Sequence, residues 1–338
     1  MDKLFSKVYG SLAGLVIGDV MGMPSEFMVP EQIKEQFGYI DTFRDPLVDH
    51  IHPDLKRGQI TDDSEQSIYL IEQYSKDKII TVENTAKALQ NWAKETDAFN
   101  KSYIGPSTAK ALRNIEQGQN PRETGFGGFT CGSAMRVAPV GLIHPGDFEG
   151  ALRGAIDSSL PTHGTDVAIS AAAAIACGVS AAMKNEATVT SVISGALEGA
   201  RQGAKHGKPA IAASIEGRTK LALELVLNTK DISEAGQLLY DYIGCGMDAN
   251  EVVPVVLALF YVAKGDPMKL IRAGANIGGD TDTIAALGGA LGGALQGINH
   301  IDTELLKEAE RINNLDINEL ANKLVGMIGM VKSSSQSE

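Results

Sequence analysis

The chain has 338 residues, of which 43% are hydrophobic but only 5% aromatic, and its formal net charge is −12. This charge, with no evident basic patch, argues against a nucleic-acid partner, because phosphate binding draws on clustered Lys and Arg. Three widely spaced cysteines without a CxxC pair argue against a disulfide framework and favour a cytoplasmic location. The alanine-rich run 168–183 is too short and too weakly hydrophobic to predict a membrane span, so we expect a soluble protein.

Apolar residues recur at helical spacing from Phe5 to Val20, which predicts a buried first helix that ends near 18–22. Pro24 and Pro30 interrupt this pattern and leave Glu26 in a loop. Residues 31–58 contain many charges and predict an irregular connection. Later apolar periodicity predicts helices at 62–76, 81–96, 106–117, 148–157, 165–184, 188–204, 208–228, 231–243, 250–263, 267–275 and 281–297.

The last of these predicted helices is unusually rich in glycine, with Gly288, Gly289, Gly292 and Gly293 in its interior. Each glycine costs a helix about 1 kcal/mol relative to alanine. We therefore expect this helix to pack closely against a neighbouring backbone, which would hold its first turn in a fixed place.

Two short acidic clusters stand where helices are predicted to begin, at residues 61–63 and 280–283. One interpretation is helix capping, because Thr and Asp are preferred caps and Asp62 to Glu65 has the spacing of a capping box. However, one cap needs one oxygen, and Asp280 and Asp282 offer more. Carboxylates brought together would repel, and a hard cation is the usual remedy. With no thiol or imidazole in either cluster, oxygen ligation is favoured over zinc.

Several motifs occur along the chain in a specific order. They are Gly10-Ser11-Leu12-Ala13-Gly14 with Gly18-Asp19, Gly22-Met23-Pro24-Ser25-Glu26, Thr61-Asp62-Asp63, Gly132-Ser133-Ala134-Met135-Arg136-Val137-Ala138-Pro139, His163, and Gly278-Gly279-Asp280-Thr281-Asp282-Thr283. Together they resemble the ADP-ribosylglycohydrolase family, which includes the hydrolase that reactivates ADP-ribosylated dinitrogenase reductase. The resemblance covers a domain at 1–330 and leaves 331–338 as a Ser-rich tail that is predicted to be disordered.

The resemblance implies an all-α fold, a compact orthogonal multi-helix bundle, with a centre of two divalent cations, Mg²⁺ or Mn²⁺. This centre would cleave a glycosidic bond to ribose in an ADP-ribosylated protein or a small molecule like ADP-ribose. The metal ligands it implies are Thr61, Asp62, Asp63, Asp280, Asp282 and Thr283. Glu26, on a loop covering the metals, or else Asp62 or Asp63, would transfer the proton.

Substrate contacts are implied for His163, Gly132, Ser133 and Tyr103. The alternatives are that Glu26 is an ordinary solvated acid and that His163 is structural. Asp19 either supports the ligands or ends the first helix. For Arg136 the alternatives are that it binds a phosphate and that it anchors a loop.

Two departures from the family pattern leave the substrate open. Tyr103 stands where members that act on ADP-ribosylarginine carry Asp, and Thr130-Cys131-Gly132 stands where many members read Gly-Asn-Gly. A nucleoside or other ribosyl N-glycoside hydrolase on the same fold is therefore an alternative, as is a non-enzymatic ADP-ribose-binding or structural protein. The sequence does not decide the leaving group, the metal or the oligomeric state.

Overall fold

The structure, a computed structural model, describes residues 2–334, with side chains described up to residue 328. Within this range the chain forms sixteen α-helices and no sheet, so the prediction of an all-α multi-helix fold is confirmed. The helices are α1 Lys3–Gly22, α2 Pro30–Phe37, α3 Asp62–Asp77, α4 Val82–Glu95, α5 Pro106–Glu116, α6 Ala138–Ile143, α7 Phe148–Ser159, α8 Asp166–Ala182, α9 Val189–Gly203, α10 Ile215–Val226, α11 Ile232–Tyr242, α12 Ala249–Val262, α13 Pro267–Ile277, α14 Thr281–Gln296, α15 Thr303–Asn313 and α16 Ile317–Ser334.

The helices predicted from apolar periodicity are present, and their ends agree within two residues except at 208–228. There, α10 begins only at Ile215, because Ser214 caps it by accepting the Gly217 N–H at 3.2 Å. Helices α6, α15 and α16 are not among the predicted helices. Helix α16 includes residues 331–334, which belong to the tail predicted to be disordered at 331–338. Residues 335–338 lie outside the described range, and the domain bounds 1–330 stay a prediction.

The prediction that 31–58 is irregular is wrong for its first seven residues, which belong to α2. Proline suits the first position of a helix, where its missing N–H costs nothing, and Pro30 occupies that position. Only Ile33 of this short helix is buried, so apolar periodicity does not mark it.

Helix α1 is long and apolar enough to cross a membrane by length and composition alone. However, 78% of its most apolar window is buried inside the protein. Such burial is typical of a core helix, and residues such as Val16 and Ile17 pack in the main hydrophobic core.

Helices α1 and α14 run antiparallel in backbone contact. A Cβ atom built on Gly14 would overlap the backbone of Gly289, and one on Gly18 would overlap the backbone of Ala285. The close packing predicted for the glycine-rich helix is therefore present, and it is made against α1. One turn further along, Gly22 abuts the Asp282 backbone, so the end of α1 lies beside the first turn of α14.

Helix α12 contains a proline, and a partly exposed arginine compensates for it. Pro254 has no N–H to donate to the carbonyl of Asn250 one turn earlier; Arg218 donates to that carbonyl instead, at 3.3 Å. Arg218 also lies 3.8 Å from Glu251, whose carboxylate accepts the Gly246 N–H at 2.8 Å. These contacts fix the loop before α12, which in turn contacts the start of α14.

Candidate metal centre

Three buried carboxylates gather where the loop after α1 meets the start of α14. Glu26, Asp280 and Asp282 offer oxygen atoms that all lie within 4.8 Å of one another. Glu26, one of three residues for which proton transfer is predicted, is thus brought together with two of the predicted metal ligands. The individual roles of these residues stay predictions, whereas their proximity is a feature of the fold.

Backbone hydrogen bonds hold the loop that carries Glu26 against the start of α14. Phe27 N–H donates to Gly279 O at 2.7 Å, and Gly279 N–H donates to Met28 O at 2.9 Å. Gly279 has φ +77°, and a Cβ there would overlap the carbonyl of Cys245. Only glycine fits this close approach without strain, and the Cys245 carbonyl also accepts the Asp280 N–H at 2.7 Å.

Capping does not account for the acids at the start of α14. Asp280 occupies the cap position, yet its side chain makes no cap hydrogen bond; instead it accepts from the Cys131 thiol at 3.0 Å. Asp282 accepts from the Thr283 N–H through Oδ1 at 2.9 Å, while its Oδ2 lies 3.5 Å from Thr61 Oγ1. The two acidic clusters therefore meet across the interface between α3 and α14.

At the start of α3, the capping box predicted from Asp62 to Glu65 is absent. Thr61 is the cap, and its hydroxyl accepts the Asp63 N–H at 3.4 Å. Glu65 accepts instead from Trp92 Nε1–H at 2.8 Å and from the Tyr103 hydroxyl at 2.9 Å. Among the described residues, Oδ2 of Asp63 is buried without a hydrogen-bond partner. An orphaned buried carboxylate oxygen is what a hard cation would be expected to satisfy.

Asp19 of α1 is the residue that holds the start of α3 in place. It is fully buried and accepts the Thr61 N–H at 3.1 Å, the Thr61 hydroxyl at 2.8 Å and the Ser64 N–H at 3.1 Å. The helix does not end at this residue, because α1 continues to Gly22. The geometry therefore favours the interpretation of Asp19 as an acid that supports the predicted ligands.

Burial raises the pKa of every carboxyl in this cluster, and mutual repulsion adds to the effect. The nearby charge of Asp282 is the second cause of the raised pKa of Glu26 and of Asp63. For Asp19, burial and then Asp282 raise the pKa to about 7 despite its hydrogen bonds. Without a cation the cluster must hold protons to limit repulsion. Crowded oxygen donors of this kind fit Mg²⁺ or Mn²⁺, which would replace those protons.

His163 lies beside the Gly-rich segment that precedes α6. Its Nδ1 is 2.8 Å from Thr162 Oγ1 and its Nε2 is 3.0 Å from Thr130 Oγ1. A Cβ on Gly132 would lie 2.5 Å from Cε1 of the imidazole, so only glycine leaves room for the ring. Burial, with a smaller effect of Arg136, lowers the pKa of His163 to about 3. The ring is therefore neutral.

The two other predicted substrate contacts are engaged with the protein itself. The Ser133 hydroxyl is fully buried and donates to Ala168 O of α8 at 3.4 Å. The Tyr103 hydroxyl donates to Glu65 at 2.9 Å and accepts from Lys101 Nζ at 2.6 Å. Because this residue is a tyrosine, its position offers no carboxylate. Its ring lies edge-on to that of His52, with the ring centroids 6.1 Å apart.

Sequence reasoning missed His52, whose Nε2 lies 2.6 Å from Oε2 of Glu26. The available signal was a pair of histidines two positions apart, His50 and His52, in a segment treated as an irregular connection. In the structure the pair packs over the Glu26 loop, with ring centroids 5.4 Å apart.

The all-α fold, with buried acids gathered where α3 and α14 begin, is the feature by which we assign the protein to a family of hydrolases. The chain belongs to the ADP-ribosylglycohydrolase family, whose model matches residues 1–333. It is 34% identical over 321 residues to YegU, an uncharacterized protein of Escherichia coli K12, a match covering 94% of this chain and 96% of that protein. The resemblance inferred from the motifs is thereby confirmed.

Two further similarities concern activity and fold. The chain is 26% identical over 151 residues to the ADP-ribosyl-(dinitrogen reductase) glycohydrolase of Rhodospirillum rubrum, covering 44% of this chain and 49% of that enzyme. A solved structure described as an ADP-ribosylglycohydrolase-related protein complex aligns with a TM-score of 0.70 at 22% identity, covering 97% of this chain and 100% of that chain. At this identity the second similarity supports the fold alone.

Proposed function

We propose that the protein is a metal-dependent hydrolase that cleaves a glycosidic bond to ribose and releases ADP-ribose from a modified protein or small molecule. The observation that carries the proposal is the meeting of Glu26, Asp280 and Asp282 within 4.8 Å, with the acids of α3 beside them. Membership of the family supports it, as does the name of the Rhodospirillum rubrum relative. A cytoplasmic location and the absence of a nucleic-acid partner remain part of the proposal and follow from composition.

The residues that would hold two divalent cations are the oxygen donors of the two facing helix starts. They are Thr61, Asp62, Asp63, Asp280, Asp282 and Thr283. When bound, Mg²⁺ or Mn²⁺ would supply Lewis-acid stabilisation of charge and orient the ribose hydroxyls. Oδ2 of Asp63, which is buried without a hydrogen-bond partner among the described residues, is one donor of this set that a cation would satisfy.

Glu26 is the favoured residue for proton transfer. It is nearly buried, and burial together with Asp282 and Asp280 raises its pKa, so it holds a proton at a pH where an exposed glutamate would not. A carboxyl group whose pKa lies near the working pH is suited to general acid–base catalysis. Asp62 and Asp63 stay alternatives, since their pKa values are raised for the same reason.

The neutral His163 would contact the substrate without a charge, and a hydrogen bond from its Nε2 would have to replace the one to Thr130 Oγ1. Because burial keeps its pKa low, it carries no charge to offer a diphosphate. The adjacent Gly132 is buried against this ring, and its role as a substrate contact stays part of the proposal.

Tyr103 favours a second candidate for the leaving group. Its hydroxyl is bound by Glu65 and Lys101, so this position supplies no free acid to pair with a guanidinium. The alternative function is therefore hydrolysis of a nucleoside or another ribosyl N-glycoside whose leaving group is uncharged.

The experiment is a hydrolysis screen of the purified protein with Mg²⁺ and with Mn²⁺. The substrates are ADP-ribosylated arginine and serine peptides, O-acetyl-ADP-ribose and nucleosides, with released ADP-ribose or ribose measured by mass spectrometry. Asp282→Asn is the matched inactive control. Release of ADP-ribose from any of the first three supports the proposal, release from nucleosides alone supports the alternative, and no release from any substrate with either metal overturns both.

A further inference from the structure

Arg136 is completely buried, and the hydrogen-bond acceptors found for it among the described residues are all uncharged. A charged group out of water is costly unless hydrogen bonds compensate. Burial lowers the pKa of Arg136 only to about 10, so the guanidinium stays charged at neutral pH. Its two terminal nitrogens donate to Gln66 Oε1 at 2.6 Å, Thr162 Oγ1 at 2.7 Å and Ser158 O at 3.3 Å, while Nε has no partner among the described residues.

On one side, Arg136 determines the orientation of the Gln66 amide. A guanidinium can only donate, so the amide oxygen must face it. The amide nitrogen then faces Asp62 and donates to its Oδ2 at 2.8 Å. A reversed amide would place NH₂ against Arg136 and an oxygen against the carboxylate. One oxygen of Asp62 is thus committed, and the other is left for a ligand.

On the other side, Arg136 determines which nitrogen of His163 carries the proton. The Thr162 hydroxyl accepts from Arg136, and the described acceptor for its own proton is Nδ1 of His163 at 2.8 Å. Nδ1 is therefore unprotonated, and the neutral ring carries its proton on Nε2, which donates to Thr130 Oγ1 at 3.0 Å.

We infer that Arg136 is a positioning residue that acts in two directions, holding Asp62 through Gln66 and setting the tautomer of His163 through Thr162. The predicted metal ligand and the predicted substrate contact are thereby oriented by one buried charge. The inference rests on the proposed function only where Asp62 is taken as a ligand. A residue that merely anchored a loop through Ser158 would change the stability of the protein without affecting either group.

The test uses three variants of the full chain, each of which removes a defined part of the arrangement. Gln66→Met removes only the connection to Asp62, Thr162→Val removes only the connection to His163, and Arg136→Met removes both. Thr219→Val is the matched control, because Thr219 is fully buried and its hydroxyl has no partner among the described residues.

Two measurements are made on every folded variant, and neither requires turnover. The affinity for Mn²⁺ is measured by the EPR signal of the free ion, and the tautomer of His163 by ¹⁵N NMR of the imidazoles, with His163→Gln identifying its signals. We expect Gln66→Met to weaken Mn²⁺ binding by about 10–100-fold and to leave the tautomer unchanged. Thr162→Val should shift the ring toward the Nδ1–H form and leave Mn²⁺ affinity unchanged; Arg136→Met should do both.

The inference is overturned if Arg136→Met leaves both the Mn²⁺ affinity and the His163 tautomer unchanged. It is also overturned if Gln66→Met and Thr162→Val affect both measurements equally. If Arg136→Met does not fold, the other two variants decide the matter by the same criterion. A wild-type protein that binds no Mn²⁺ or Mg²⁺ would contradict the proposed function, whereas the His163 tautomer would still test the second connection.

Discussion

Oε2 of Glu26 lies 2.6 Å from Nε2 of His52, and both side chains are nearly excluded from solvent. Burial, then the neighbouring His50, lowers the pKa of His52 to about 4, while burial raises the pKa of Glu26. Neither group is favoured to be charged, so the contact is a neutral hydrogen bond and not an ion pair. The other ring nitrogen lies 3.1 Å from the hydroxyl of Ser102, an exposed residue.

Replacing Glu26 by Gln tests its role in proton transfer. Glu26→Gln keeps the size and a hydrogen bond to His52 but removes the group that can lose a proton. Turnover should fall on the order of 100-fold or more, a typical contribution of general acid–base catalysis, with little change in melting temperature. Steady-state kinetics on the substrate found by the screen measures this.

His52→Gln is the matched control, because its amide still offers a donor to the Glu26 carboxylate. It should retain most of the turnover. If Glu26→Gln turns over at the wild-type rate, the proton-transfer role passes to Asp62 or Asp63.

Metal binding should be coupled to proton release. Burial raises the pKa of the carboxyls in the metal-free cluster, to about 7 for Asp19 and well above the usual range for Asp63 and Asp282. A cation binds the ionised forms, so its apparent affinity should rise with pH across the range from about 5 to about 8. Calorimetry with Mn²⁺ in two buffers of different ionisation enthalpy measures the protons released. Equal affinity and no released protons across this range would contradict the prediction.

Asp282→Asn separates a metal ligand from a helix-stabilising acid. Removing a buried charge that repels its neighbours should leave the metal-free protein as stable as before or slightly more so. Affinity for Mn²⁺ should fall by about 10–100-fold or more, with a parallel loss of turnover. Thermal melting with and without metal, together with calorimetry, provides the comparison.

Asp302→Asn is the control for this substitution, because Asp302 caps α15 through its side chain and lies outside the cluster. Asparagine is an equally good cap, so this change should affect neither quantity. Loss of stability in Asp282→Asn with normal metal affinity would restore the capping interpretation.

Gly14→Ala should disrupt the contact between α1 and α14, since the new methyl group would overlap the backbone of Gly289. Forced separation of two packed helices costs about 1–3 kcal/mol or more in the free energy of unfolding. Gly326→Ala is the control: it lies on an exposed face of α16 with no atom within 4 Å, and should stabilise the protein by about 0.5–1 kcal/mol. Urea denaturation of both variants checks the prediction, and equal stability of the two would contradict it.

The features predicted correctly from the sequence are those that local pattern determines. Apolar periodicity marks the long buried helices, and the glycines of α14 indicate its close packing. The oxygens of each acidic cluster exceed what capping requires, which marks each helix start as a candidate metal-binding segment, but only the fold brings the two together. Each of these inferences needs only residues within one or two turns of one another.

Features that depend on distant partners were not predictable in this way. Glu65 has the spacing of a capping box, but hydrogen bonds from Trp92 and Tyr103 take its carboxylate elsewhere. Arg136 had two interpretations, and only the fold shows that its charge reaches Asp62 through Gln66. His52 stands in a charged segment without periodicity, so nothing local connects it with Glu26.

The antiparallel contact of α1 with α14 also bears on how the protein is made. Thr61 and Asp282, which meet across the predicted metal centre, are 221 positions apart in the chain. At a synthesis rate of about 5–20 residues per second, the first helix would leave the ribosome more than ten seconds before its partner. During that interval the glycine-lined face of α1 lacks the helix that covers it in the fold. A cation that needs both helix starts could be bound only after the chain up to about residue 283 has left the ribosome.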